Sequence, residues 1–303
     1  MKKTGTRAAA ALLLAAALTT ALLPPVSADE HKVIPAKAQM VTGVTVYGNQ
    51  KAKIDASNAA EGYVMVAYLG GKNVRIKARV TKTGGTTYTY DLNNAGRTET
   101  FPFTEGDGEY TVEVFENVSS TSYALANSCK VQVKLRDRFL PFLYPNQYVN
   151  FNDQSEAVKK ADELCRSLSD DLSRVRAVYT YVIGALRYDT EKAKTVQSGY
   201  LPDVDAVMKA GKGICFDYAS LMGAMLRSRG IPCKLVVGYV GEAYHAWLNV
   251  YIEDKGWIDK LIYFDGQNWR LMDPTFASSL GENSDSLKKY IGDGKSYQQK
   301  YAY

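Results

Sequence analysis

The chain has 303 residues, 37 Lys and Arg against 32 Asp and Glu, 46% hydrophobic residues, four cysteines and two histidines. That composition excludes a disordered tail, a collagen, a disulfide-stapled miniprotein and a multi-span membrane protein. With two histidines, any chemistry that needs an imidazole has almost no choice of residue.

Lys2, Lys3 and Arg7 precede an uncharged apolar run of 16 residues, Ala8 to Leu23, then Pro24-Pro25 and the small residues Val26-Ser27-Ala28. This is the order of a secretory signal peptide, so residues 1–28 are expected to be a cleaved leader and the protein to be secreted and extracellular. The run is shorter than the roughly 20 residues of a membrane span. No transmembrane anchor is therefore expected after cleavage. Without the leader the charges are 34 against 32, too balanced to suggest nucleic acid as a partner.

From Val41 to Leu135 short β-rich runs follow one another: Tyr63 to Tyr68, Val74 to Val80, Thr86 to Tyr90, Tyr110 to Phe115 and Cys129 to Leu135. Gly and Asn clusters separate them, and the last two alternate with period two. Residues 29–138 are expected to form an all-β, Ig-like sandwich serving as a binding or spacer module. The apolar segment Phe139 to Pro145 is expected to pack the two domains together.

Residues 139–303 change period. Val158, Ala161, Leu164, Cys165 and Leu168 line one helix face, with Asp153 and Glu156 spaced as a capping box. Val175, Val178, Tyr179, Val182 and Leu186 line a second helix. A third, Cys215 to Arg229, is apolar on two sides and so is expected to be buried. Strand-like runs follow at 234–240, 246–252, 262–264 and 269–273, with a late strand in the tail. Helices before strands make this half α+β.

His31 lies just beyond the expected cleavage point, which leaves His245, at the start of an alternating strand, as the one candidate base. Cys129, Cys165 and Cys233 sit in apolar registers and read as core residues. Cys215 differs, because it opens the buried helix after Gly211-Lys212-Gly213-Ile214. A thiol there faces unpaired N–H groups and the positive end of the helix dipole, both of which favour thiolate. Asp273 ends a strand before Pro274. Nucleophile, base and orienter are then Cys215, His245 and Asp273, with gaps of 30 and 28 residues. Taken singly, His245 reads as a hydrogen-bonded strand residue and Asp273 as a turn former before proline.

Gly213-Ile214-Cys215-Phe216-Asp217-Tyr218-Ala219, His245-Ala246-Trp247 and Trp269 to Thr275 resemble, in order, the three motifs of the transglutaminase-like superfamily. The resemblance covers about residues 150–280 and implies a papain-like fold with a Cys-His-Asp triad at Cys215, His245 and Asp273. A β-sandwich before the domain is familiar among secreted bacterial members. The chain lacks the extra barrels of the calcium-dependent animal enzymes and any acidic loop suited to calcium. No cofactor and no metal are expected. The resemblance implies a secreted cysteine acyl-transfer enzyme, a peptidase, amidase or transamidase working through a thioester. Its partner is expected to be a protein or peptide substrate of the cell wall or extracellular space. The competing expectation is a non-catalytic secreted binding or cell-surface interaction protein on a papain-like scaffold.

Overall fold

Among the described residues eight strands precede the first α-helix: β1 (Val46–Gly48), β2 (Ala52–Asp55), β3 (Tyr63–Tyr68), β4 (Ile76–Lys82), β5 (Thr87–Leu92), β6 (Glu99–Pro102), β7 (Gly108–Ser119) and β8 (Ser122–Val133). The computed structural model describes residues 42–259, 262–264, 269–271 and 297–303. The expected leader, His31 and Asp273 lie outside the described residues. The eight strands form two four-stranded antiparallel sheets, ordered β1-β2-β3-β6 and β5-β4-β7-β8.

The inward faces meet in one core. Val64, Val66 and Tyr68 of β3 are buried with Ile76, Ala78 and Val80 of β4 and Val112 and Val114 of β7. The Tyr90 and Phe101 rings, one from each sheet, lie 4.6 Å apart. Each buried aliphatic side chain contributes about 1.5–3 kcal/mol. The same register of β7 also buries a charge, Glu116, which accepts from Tyr68 Oη at 2.7 Å and pairs with Lys51 and Lys72. β3 is buried along its whole length because the segment after β8 covers its second face. Tyr144 sets its ring 5.1 Å from Tyr63. A single 3-10 turn, Leu140–Phe142, is buried in this segment, and Phe139 and Phe142 contact Tyr251 and Trp257 at 4.2 and 5.3 Å. The apolar segment thus touches both the leading sheets and the later strands.

The helical part comprises α1 (Glu156–Cys165), α2 (Asp171–Ala185), β9 (Arg187–Tyr188), α3 (Thr190–Thr195), α4 (Val204–Ala210), β10 (Lys212–Gly213) and α5 (Cys215–Arg227). Asp170, Asp189 and Asp203 each accept a backbone N–H and open α2, α3 and α4. The capping box expected at Asp153 and Glu156 does not form. α1 begins at Glu156 after Ser155, and the Ser155 hydroxyl instead accepts the Asn152 N–H at 3.1 Å. The N-terminus of α1 is satisfied from another helix, with Ala157 N–H donating to Asp205 at 3.1 Å. α5 is the buried helix, covered from Asp217 through Arg227 and packed by α1, α2, α4 and the sheet behind it.

That sheet is antiparallel, ordered β13-β12-β11-β16, from β11 (Cys233–Val240), β12 (Ala243–Ile252), β13 (Gly256–Ile258) and β16 (Tyr297–Ala302). β14 (Ile262–Phe264) and β15 (Trp269–Leu271) pair with each other. The expected late strand is β16, which lies along β11. Buried Arg227 fastens this corner, donating to the carbonyls of Cys233, Tyr144 and Tyr303 at 2.7–3.1 Å. The fold therefore has the mixed helix and strand content that the motifs imply. Among the described residues no helix is long and apolar enough to cross a membrane.

Candidate active site

Cys215 is the first residue of α5, and the turn that delivers it depends on Gly213. A Cβ on Gly213 would stand 2.6 Å from the Cβ of Asp217, closer than two carbons pack. Ile214 follows in an extended conformation and occupies the N-cap, where its side chain offers no acceptor. Asp217 supplies the missing cap from inside the helix. Its Oδ2 accepts the Ile214 N–H at 2.8 Å. The carboxylate is fully buried and also accepts from Lys192 Nζ at 2.7 Å and Tyr200 Oη at 2.6 Å. Lys192 Nζ reaches the Tyr200 oxygen as well, at 2.6 Å, so the three groups close a ring.

His245 lies on β12, buried, opposite Gly238 in the β11–β12 register. Cys215 and His245 line one cavity of about 620 Å³, a volume in the usual range for a binding cleft. Two members of the expected triad are thus brought to a common space, while Asp273 is outside the described residues. β15, which leads toward it, is described through Leu271.

The walls come from unexpected places. Lys77 of β4 and Thr89 and Asp91 of β5 line the same cavity, so the leading sheets, expected to be a spacer or separate binding module, form one side of the cleft. Lys77 and Asp91 pair at 2.5 Å and neutralise each other there. Tyr148, Tyr244, Tyr301 and Tyr303 add an aromatic face, Tyr148 and Tyr303 edge to face at 4.4 Å. Burial pushes the phenols of Tyr148, Tyr244 and Tyr303 up, so each remains a neutral hydrogen-bonding group at physiological pH.

Tyr188, Gln197 and Tyr200 also line the cleft and carry groups able to donate to an oxyanion. Tyr200 is ruled out, because its hydroxyl proton already goes to Asp217. One Gln197 amide N–H goes to the Thr195 carbonyl at 2.9 Å. The four cysteines are all free. Burial pushes the Cys129 thiol up to about 11 and raises Cys165 and Cys233, whereas Cys215 is only half-buried. The spacing of apolar residues gives no hint of Asp217, Lys77 or Asp91 as parts of this site. An acidic residue at the third position of a helix whose N-cap is isoleucine is the one local signal for Asp217.

Residues 158–260 match the family model of the transglutaminase-like superfamily, a segment holding Cys215 and His245 but ending before Asp273. The chain is similar to kyphoscoliosis peptidase of Mus musculus, 29% identical over 141 residues that cover 43% of this chain and 19% of that protein. It is also similar to a protein-glutamine gamma-glutamyltransferase of Pseudomonas aeruginosa, 24% identical over 152 residues covering 44% of this chain and 21% of that protein. The chain thus spans about a fifth of the length of these curated relatives. Among solved structures, red sea bream transglutaminase aligns with 78% of this chain and 55% of its own at 11% identity and a TM-score of 0.33.

Proposed function

We propose that this chain, whose residues 158–260 form a transglutaminase-like superfamily domain, is a secreted cysteine acyl-transfer enzyme acting on amide bonds of proteins or peptides. The observation that carries the reading is the shared cavity: a half-buried thiol at the head of a buried helix and the one described imidazole line the same space. The strand order of the two leading sheets supports reading residues 29–138 as an Ig-like module, with residues 139–303 as the catalytic one.

In this reading His245 takes the Cys215 proton and the sulfur attacks the amide carbonyl carbon. The oxyanion is met by the Cys215 N–H and a second donor. The C–N bond breaks as His245 returns the proton to the departing amine, leaving a thioester on Cys215. Water or an amine then attacks the thioester, giving an acid or a new amide and restoring the thiol. Asp273 is assigned the orienter's role toward His245, holding its tautomer and stabilising the imidazolium. The Lys77, Thr89 and Asp91 wall gives the leading sheets a share in holding the substrate.

Incubation with a glutamine-containing peptide and a tagged primary amine tests the reading, with Cys215→Ala and His245→Ala as controls. Amine incorporation identifies a transamidase and plain release of ammonia a hydrolase. Neither product, with no cleavage of the peptide chain, would leave the domain as a binding scaffold, and equal turnover by Cys215→Ala would remove Cys215 as the nucleophile.

A further inference from the structure

Asp217 carries more than a helix cap requires. A cap needs one acceptor for one N–H. This carboxylate is fully buried, accepts three donors, and draws two of them, Lys192 and Tyr200, from the connection between β9 and α4. Its first bond goes to the N–H of Ile214, the residue immediately before Cys215. A buried carboxylate is tolerated only when paired and hydrogen-bonded, and this one is held on both oxygens. Gly213 permits the close approach.

The same connection forms part of the cleft wall: Ala193, Val196, Ser198 and Tyr200 line the cavity with Cys215. α3 has six residues and buries none of them, so little apolar packing holds it in place. The Lys192–Tyr200–Asp217 ring ties this wall to the turn that carries the thiol, in addition to the Asp189 N–H bond to the Gly213 carbonyl where the connection starts.

We infer that Asp217, held by Lys192 and Tyr200, is a positioning residue that fixes the Cys215 thiol relative to the cleft wall. Its carboxylate acts through Ile214 and does not touch substrate. The inference rests on Cys215 being the nucleophile. Loosening the ring lets the first turn of α5 and the wall drift apart. Ground-state contacts elsewhere in the cleft persist, so the loss falls on kcat rather than on KM.

The experiment uses the full chain and four variants, Lys192→Met, Tyr200→Phe, Asp217→Asn and Asp217→Ala, each checked by circular dichroism and thermal melting. Lys192→Met is the variant most certain to fold, because that side chain is 27% exposed. With the glutamine-containing peptide and tagged amine, folded Lys192→Met is expected to lose about tenfold or more in kcat with KM within about twofold. Asp217→Asn, which keeps an oxygen for the Ile214 N–H, is expected to retain more activity than Asp217→Ala. Folded variants with kcat within about twofold of the parent would overturn the inference. If the parent protein shows no Cys215-dependent turnover, it is the enzyme reading that fails. Hydrogen exchange at the Ile214 amide then decides the positioning role alone: selective acceleration in Lys192→Met supports it, and unchanged exchange overturns it.

Discussion

Gly238 stands opposite His245 in the β11–β12 ladder, and a methyl group on Gly238 would come within 2.0 Å of the Gln298 carbonyl oxygen. The strand that carries the candidate base is therefore tied, through one glycine, to a tail strand more than fifty residues further along the chain. The β11–β16 register shifts between Val237 and Gly238, which is where that close approach occurs.

Gly238→Ala is expected to force β16 away from β11, because the clash is with backbone rather than with a flexible side chain. The cost is about 1–3 kcal/mol. Thermal melting and exchange of the β16 amides measure it; an unchanged melting temperature would contradict the pairing.

Arg227 is fully buried and donates to the carbonyls of Cys233, Tyr144 and Tyr303. Arg227→Met fills the space but removes the guanidinium bonds to all three acceptors, of which Tyr303 keeps the Leu235 N–H. A loss of about 3 kcal/mol or more is expected from urea unfolding. A loss below about 1 kcal/mol would mean that the corner holds without it.

Lys77 and Asp91 test whether the leading sheets belong to the catalytic cleft. Replacing both with alanine removes a pair that is neutral overall, so long-range electrostatics change little. KM for a peptide substrate is expected to rise about threefold or more with kcat retained. An unchanged KM would make that wall a bystander.

Lys72, and next Tyr68, hold the Glu116 carboxyl down at about 2, below its ordinary value of 4.5. A carboxylate depressed in the folded state contributes stability that is fully present above the unfolded value. That contribution disappears as pH falls from 4.5 through about 2. Glu116→Gln is expected to flatten the fall of stability across that window, measured as urea midpoint against pH. Parallel curves for the two proteins would contradict it.

Strand alternation and helical period carry most of the fold in the amino-acid order. The runs at Tyr63, Val74 and Tyr110 became β3, β4 and β7, and the doubly apolar helix became α5. α3 and α4 are six and seven residues long, too short for a 3.6-residue period to show. The capping box at Asp153 and Glu156 failed because α1 begins at Glu156 itself, and a carboxylate from α4, Asp205, accepts the Ala157 N–H at that N-terminus. At the site, the meeting of Cys215 and His245 in one cavity was legible because cysteine and histidine are rare here and both stand in telling local settings. Lys77, Asp91 and Asp217 were not. Their roles depend on partners that the fold brings from distant strands and loops, as Lys192 and Tyr200 are brought to Asp217.

A Cys215 nucleophile passes through a covalent acyl intermediate. Rapid acid quenching of the protein turning over a glutamine-containing peptide, followed by peptide mass spectrometry, reads it directly. The expected result is an acyl adduct on the peptide containing Cys215, released by hydroxylamine and absent in Cys215→Ala. Turnover with no adduct on Cys215, or turnover that survives Cys215→Ala, would rule out Cys215 as the nucleophile.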